Sequence, residues 1–170
     1  MGKHEEAIIF YAEAITLGPG NADVHYARAL AYSNLKDYQN AILDYTQAIA
    51  LNPGYAEAFS DRGTVYLNFK DYEHALRDYA KAIELQPDDP IVFNNRGCLY
   101  CILKDYRKAI LDYTHAIELK PDYARAFYNR GDAYTNLKDY ENANRDYAKA
   151  IELQPEYAHV INSGGRPKKN

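Results

Sequence analysis

The sequence predicts an all-α fold built from antiparallel helix hairpins. Three kinds of column predict it, because prolines, alanines and tyrosines each recur every 34 residues. The columns are Pro19, Pro53, Pro87, Pro121 and Pro155; Ala7, Ala41, Ala75, Ala109 and Ala143; Ala14, Ala48, Ala82, Ala116 and Ala150; and Tyr11, Tyr45, Tyr79, Tyr113 and Tyr147. One unit is therefore copied along the chain. Such units stack on their neighbours, since a single copy cannot bury its own apolar face.

Residues 56–89 show most clearly how one unit is built. A first helix carries an aromatic, a small residue and a second aromatic on one face: Phe59, Gly63 and Tyr66. Asp71 then caps a second helix, because its carboxylate can accept an unpaired backbone N–H. The apolar face of that helix follows at spacings of three and four: Tyr72, Ala75, Leu76, Tyr79, Ala82 and Ile83. Pro87 cannot continue the helix and closes the unit.

The same frame divides the whole chain. Residues 1–21 match only the second helix of an incomplete repeat, and residues 158–170 begin a repeat that Gly164-Gly165 and Pro167 abort, leaving a polar tail with Arg166, Lys168 and Lys169. The complete repeats are 22–55, 56–89, 90–123 and 124–157.

This pattern resembles the tetratricopeptide repeat family, whose 34-residue helix–turn–helix carries aromatic, small, Tyr, Ala and Pro residues at fixed positions. Departures are few: His25 replaces the phenylalanine of the other repeats, and Ala29 replaces their glycine. The resemblance implies a right-handed superhelical solenoid whose first helices line a concave groove. It also implies a protein-binding scaffold.

Composition excludes several function classes. The net charge is -4 with a pI near 5.7, and the repeats carry no basic stripe, so we expect no nucleic-acid binding. No apolar run approaches the roughly 20 residues that span a membrane. The acidic start is unlike a secretory signal, and two cysteines do not build a disulfide framework, so a cytoplasmic location is expected.

The motifs of enzymes and metal sites are missing from the sequence. It contains no Gly-rich phosphate loop, nucleophile elbow or paired catalytic carboxylates, and its five histidines occupy five different repeat positions. Cys98 and Cys101 form a C-x-x-C, but inside a helix and without two further zinc ligands. We therefore expect two free thiols, no cofactor, no metal and no enzymatic activity.

A column of arginines lies on the first helices, and an aspartate follows each arginine 16 residues later. The pairs are Arg28 and Asp44, Arg62 and Asp78, Arg96 and Asp112, and Arg130 and Asp146. Antiparallel helices could bring each pair together as an internal ion pair that fixes the register of the repeat. The alternative is that the arginines are exposed and bind a ligand.

The family resemblance places the binding residues on the first helices, where this chain varies between copies. The predicted groove residues are Asp23, Tyr26, Asn34, Glu57, Ser60, Asp61, Thr64, Asn94, Asn95, Cys98, Arg125, Tyr128, Asn129 and Asp132. Tyr26 and Tyr128 are the expected aromatic anchors, because buried aromatics often dominate interfaces.

Two binding modes of the family can be compared with these residues. A clamp for carboxylates needs groove lysines and arginines, which this chain lacks at the matching positions. An asparagine ladder that bonds a peptide backbone is matched by Asn95 and Asn129, since an amide offers both a donor and an acceptor. The groove leans acidic, so the expected partner is a protein or extended peptide with basic residues.

Two other functions stay open at this point. The end helices could join copies of the chain into a homo-oligomer, with Ile8, Tyr11 and Ile151 as the contact residues. Alternatively, these repeats could be a regulatory part of a larger protein.

Overall fold

The computed structural model of the protein describes residues 2–163, which form ten α-helices and contain no β-strand. The chain divides after Pro87 into a first unit and a second unit. The first unit contains α1 (Lys3–Leu17), α2 (Ala22–Asn34), α3 (Tyr38–Leu51), α4 (Ala56–Asn68) and α5 (Tyr72–Leu85). The second contains α6 (Pro90–Ile102), α7 (Tyr106–Leu119), α8 (Ala124–Asn136), α9 (Tyr140–Leu153) and α10 (Tyr157–Ser163). The predicted all-α fold of helix hairpins is confirmed.

Helices pair in the order of the sequence. Hairpins form between α2 and α3 and between α4 and α5 in the first unit, and between α6 and α7 and between α8 and α9 in the second. Within each unit the hairpins stack, with α3 on α4 and α7 on α8. The glycines and proline predicted to end the last repeat lie outside the described residues, as does the polar tail.

The predicted capping of the second helices is confirmed. The Asp71 carboxylate accepts the backbone N–H of His74 at 3.3 Å, and the aspartates before α3, α7 and α9 make the equivalent bond. The C-terminal end of the helix also agrees with the sequence: α5 ends at Leu85, two residues before Pro87. These local signals fix where each helix begins and ends.

A lysine with positive φ joins the two helices of every complete hairpin. The four are Lys36, Lys70, Lys104 and Lys138, with φ between 60° and 64°. The N–H groups of Lys70 and Asp71 bond back to the carbonyls of Leu67 and Tyr66, so the turn closes the last carbonyls of α4. A left-handed non-glycine residue costs about 1–2 kcal/mol, and a lysine charge at a helix C-terminus offsets part of that.

A tyrosine ring fills the centre of each hairpin. Tyr79 is fully buried, and a Cβ added to Gly63 would lie 3.0 Å from its Cε1 atom. The same relation holds in the second unit, where a Cβ on Gly97 would lie 2.6 Å from Cε1 of Tyr113. In these two hairpins glycine on the first helix therefore lets the ring of the second helix pack directly against the backbone.

The predicted arginine–aspartate pairs form in all four hairpins. In the second hairpin, Arg62 donates from Nε and Nη2 to the two carboxylate oxygens of Asp78, both at 2.8 Å. Equivalent bidentate bonds of 2.6–2.8 Å join the other three pairs. Arg62 also donates to the Thr46 hydroxyl of the preceding hairpin at 2.9 Å, so it links two hairpins of the first unit. The arginines are structural groups, as expected.

Helix α1, which corresponds to the second helix of a repeat, differs from the other second helices α3, α5, α7 and α9. It packs on α2 and has no buried residue. Ile8 and Tyr11 are half-buried, whereas the exposed fraction reaches 67% at Phe10 and 88% at Leu17. At the other end, Ile161 of α10 is buried against Ala143 and Tyr147. No helix among the described residues is long and apolar enough to cross a membrane.

Asp78→Ala removes the buried carboxylate and leaves Arg62 without its partner. The two side chains are only 7% and 14% exposed, so we expect the free energy of unfolding to fall by about 3 kcal/mol. Glu73→Ala breaks an exposed pair with Arg77 on α5 and is the matched control, with an expected loss below about 0.5 kcal/mol. Urea unfolding followed by circular dichroism measures both. Equal losses would contradict the importance of the buried pair.

Candidate functional site

In the first unit, a stacked pair of tyrosines lies among the predicted groove residues. The rings of Tyr26, on α2, and Tyr55, just before α4, have centroids 4.9 Å apart. Tyr45 of α3 packs against Tyr26 at 5.8 Å. The Tyr26 hydroxyl donates to Oδ2 of Asp61 on α4 at 2.7 Å. The neighbouring first helices α2 and α4 are therefore joined by two predicted groove residues, Tyr26 and Asp61.

Three carboxylates surround this tyrosine pair. Asp23 and Glu57 are exposed, and Asp61 is half-buried. Burial, and then the hydrogen bond to Asp61, raises the pKa of Tyr26 well above its usual range. Burial, and then the hydrogen bond to Asp23, raises the pKa of Tyr55 to about 12. Both phenols stay protonated at neutral pH, and the five residues form an acidic tyrosine patch.

The other predicted groove residues of the first unit lie at different depths. Asn34 is exposed at the last position of α2. Ser60 is only 8% exposed. The Thr64 hydroxyl lies 3.1 Å from the Tyr79 hydroxyl and donates to the Ser60 carbonyl at 3.2 Å. Ser60 and Thr64 therefore support the first-helix face from beneath, whereas Asn34 lies at its edge.

In the second unit, a polar network joins three predicted groove residues. Asn94 is 1% exposed, and its carbonyl oxygen accepts a hydrogen bond from the Asn129 amide at 2.9 Å. The same amide nitrogen lies 3.4 Å from Sγ of Cys98. Asn129 thus joins α8 to α6, while the half-buried Asn95 lies next to the network on α6.

The two cysteines of the C-x-x-C are free thiols on α6. The Tyr113 hydroxyl donates to Sγ of Cys98 and of Cys101, each at 3.5 Å. Burial raises the pKa of both thiols, so little thiolate is present at neutral pH. Nowhere in residues 2–163 do three histidine, cysteine or acidic side chains come together as a metal site would require. The motif therefore provides packing and weak hydrogen bonds.

The second unit repeats the tyrosine arrangement of the first. Tyr128, on α8, stacks on Tyr157 at 5.0 Å and packs against Tyr147 at 5.9 Å. Asp132 accepts a hydrogen bond from the Tyr147 hydroxyl. Arg125, at the start of α8, is exposed. This surface therefore has the aromatic pair of the first unit with a basic residue beside it.

Sequence reasoning missed Tyr55 and Tyr157, which complete the two stacked pairs. Both stand at the last position of the 34-residue frame, where Tyr123 and Asp89 also stand. The available signal was a tyrosine at the last position of a repeat whose first helix also carries a tyrosine at the fifth position. The packing columns concealed it, because most tyrosines of this chain recur with the same period.

The comparisons with known families agree with this geometry. Residues 22–55, 56–89 and 124–157 match the tetratricopeptide repeat, residues 79–110 match a second tetratricopeptide repeat family, and residues 97–138 match a family described as TPR repeat. The chain belongs to the tetratricopeptide repeat family. Membership of this family supports a general role in protein binding. No curated protein matches the sequence.

Several solved structures share the fold. MamA superposes with a TM-score of 0.85 over 93% of this chain and 92% of that chain, at 23% identity. A MamA fragment from Desulfovibrio magneticus RS-1 gives 0.84 over 91% and 88%, at 24% identity. YrrB, reported as a TPR protein with an unusual peptide-binding site, gives 0.79 over 95% and 84%, at 25% identity. At such identities the MamA structures show the fold alone.

The Tyr55 phenol is expected to titrate near its pKa of about 12. Because folding raises the pKa of Tyr55, the protonated phenol stabilises the folded state. This stabilisation is fully present below the unfolded pKa of about 10 and is lost as the pH rises through 12. Asp23→Asn is expected to lower the pKa of Tyr55, since it removes a negative charge next to the phenol. NMR of tyrosine labelled with ¹³C at Cζ measures both values, with Glu84→Gln on α5 as the control. An unchanged Tyr55 pKa in Asp23→Asn would contradict this contact.

Proposed function

We propose that this protein is a non-catalytic scaffold whose first helices bind an extended peptide or protein segment that carries basic residues. The observation that carries the proposal is the acidic tyrosine patch of the first unit. Its stacked rings of Tyr26 and Tyr55 offer a flat apolar surface, and its carboxylates surround that surface. The cytoplasmic location expected from the sequence remains a prediction.

The chemistry of the patch suits a lysine or arginine side chain. An aromatic face attracts a cation, and an arginine plane also stacks on it. Asp61 accepts a hydrogen bond from the Tyr26 phenol, but a carboxylate has about four acceptor positions and can bind a cation as well. The basic residues nearest in the sequence, Arg62 and Arg28, are already held by Asp78 and Asp44. A cation from a partner would therefore complete the patch.

Asparagines supply the proposed contacts to the peptide backbone. The Asn129 amide nitrogen donates to Asn94, and this leaves the Asn129 carbonyl oxygen to accept a peptide N–H. Asn95 is half-buried at the equivalent position of α6, one repeat before Asn129, and offers both a donor and an acceptor. Backbone contacts of this kind bind a peptide without reading its sequence, whereas the acidic tyrosine patch selects the basic residue.

Glu57→Gln is expected to weaken binding of lysine- or arginine-containing decapeptides about three- to tenfold, because it removes one charge from the patch. Tyr26→Ala is expected to weaken binding at least tenfold through the loss of an aromatic anchor. Fluorescence polarisation with randomised decapeptides that carry a fixed central Lys, Gln or Glu measures these changes, and Glu84→Gln is the matched control.

Asn95→Ala combined with Asn129→Ala should weaken all three peptide sets equally. Equal affinity of the Lys and Glu peptides for the unaltered protein would show that the proposal is wrong.

A second candidate function is self-association through the end helices. The observation that favours it is Phe10, which stands in the column of Asp44, Asp78, Asp112 and Asp146 and is 67% exposed. Every other second-type helix buries four residues, whereas α1 buries none. The half-buried Ile8 and Tyr11 on α1 and Ile151 on α9 are the proposed contact residues. A head-to-tail contact of this kind is heterologous and would extend into a filament.

Phe10→Asp tests self-association directly. If α1 joins two copies, the weight-average mass from light scattering should be concentration-dependent in the unaltered protein and fall to that of one chain in Phe10→Asp. Leu111→Asp is the matched control, because Leu111 on α7 is equally exposed, at 68%. A single-chain mass for the unaltered protein up to millimolar concentration would eliminate this second function.

A further inference from the structure

A cleft in the second unit carries the opposite charge to the acidic tyrosine patch. It lies where the turn between α7 and α8 meets the end of α9 and the start of α10, with a volume of about 370 Å³. Its polar lining consists of Lys120, Asp122, Tyr123, Arg125, Gln154 and Tyr157.

The two cations of this cleft have no acidic partner within residues 2–163. Lys120 and Arg125 are both exposed, and neither takes part in an ion pair there. By contrast, even exposed cations such as Lys81 and Lys149 contact a glutamate on their own helix. The Lys120 ammonium lies 5.5 Å from the centre of the Tyr123 ring, which holds it beside the cleft.

The repeat frame offers an internal control for these charges. The positions that hold Lys120 and Arg125 hold Asn52 and Glu57 in the first unit, 68 residues earlier. Since both units form the same hairpins, packing does not require the change. Arg125 also places a positive charge at the positive end of the α8 dipole, which is unfavourable, and the first turn of α8 has no acidic residue to offset this repulsion. The charge of Arg125 is therefore not favoured by the helix dipole or by an acidic residue in its own turn.

We propose that this cleft binds an anionic group, a carboxylate or a phosphate, of the bound peptide. Arginine binds either group with two parallel hydrogen bonds, and lysine adds a compact charge. The Tyr123 and Tyr157 hydroxyls and the Gln154 amide provide neutral donors at the rim. Asp122 is the carboxylate in the lining and is outnumbered by the two cations.

This inference rests on the proposed function in one respect, that the anionic group belongs to a peptide. It adds that the ligand of this protein carries an acidic group as well as a basic one. Burial is the main cause that raises the pKa of Tyr123, so its phenol is a donor rather than a repelling phenolate at neutral pH.

The test uses three capped tripeptides on the full chain. Acetyl-Gly-phosphoserine-Gly-amide presents a phosphate, acetyl-Gly-Glu-Gly-amide presents a side-chain carboxylate, and acetyl-Gly-Gly-Gly with a free C-terminus presents a terminal carboxylate. NMR shifts of the Arg125 Nε–H and Gln154 amide signals measure binding. We expect saturable shifts with at least one probe, and the probe that binds most tightly identifies the source of the anion.

Variants show whether the cleft itself is responsible. Arg125→Gln and Lys120→Gln are each expected to raise the dissociation constant at least fivefold, whereas Arg107→Gln, which removes an exposed arginine of α7, should leave it unchanged. Circular dichroism confirms that each variant folds. The proposal is overturned if none of the probes shifts the two signals at 20 mM, or if Arg107→Gln weakens binding as much as Arg125→Gln. Because the tripeptides carry no basic residue, this result is independent of peptide binding at the first unit.

Discussion

A tyrosine ring packed into the space above a glycine or alanine is the contact on which each hairpin depends. Tyr79 and Tyr113 are almost completely buried, and no side chain larger than hydrogen fits at Gly63 or Gly97 without moving them. The first hairpin keeps the ring, as Tyr45, over Ala29. Because the ring sets the spacing of the two helices, it also determines which first-helix residues are exposed. The binding surface therefore follows from the packing inside each hairpin.

Charge is arranged in two layers around these rings. The inner layer is the set of bidentate arginine–aspartate bonds, which fix the register of one helix against the next and are satisfied within the hairpin. The outer layer differs between the units, with carboxylates near Tyr26 and cations near Tyr123. A constant inner layer lets the outer residues vary without disturbing the fold. This separation explains how corresponding positions of the repeat can carry opposite charges in the two units, as Glu57 and Arg125 do.

The period of the sequence predicted nearly all of the fold and part of the site. Helix ends, caps and the arginine–aspartate bonds were predictable because each depends on spacing within one repeat. Burial at Asn94 was not, because Asn129 of the next first helix covers this position, and the residue at the Asn129 position differs between copies. Tyr55 was overlooked for another reason: it stands at the end of the 22–55 repeat, far along the chain from its partner Tyr26, among many tyrosines that recur with the same period. Periodicity identifies positions that vary, but contacts between repeats decide which of them reach solvent.

Ionic strength should act very unevenly on this molecule. At physiological salt, charges exposed to water are screened over about 8 Å, whereas buried pairs are screened much less. The acidic tyrosine patch and the basic cleft lie in the first category, and the Arg62–Asp78 pair, with side chains 14% and 7% exposed, lies in the second. Rising salt should therefore weaken the proposed binding of a charged partner long before it loosens the hairpins, so release of that partner would not require unfolding.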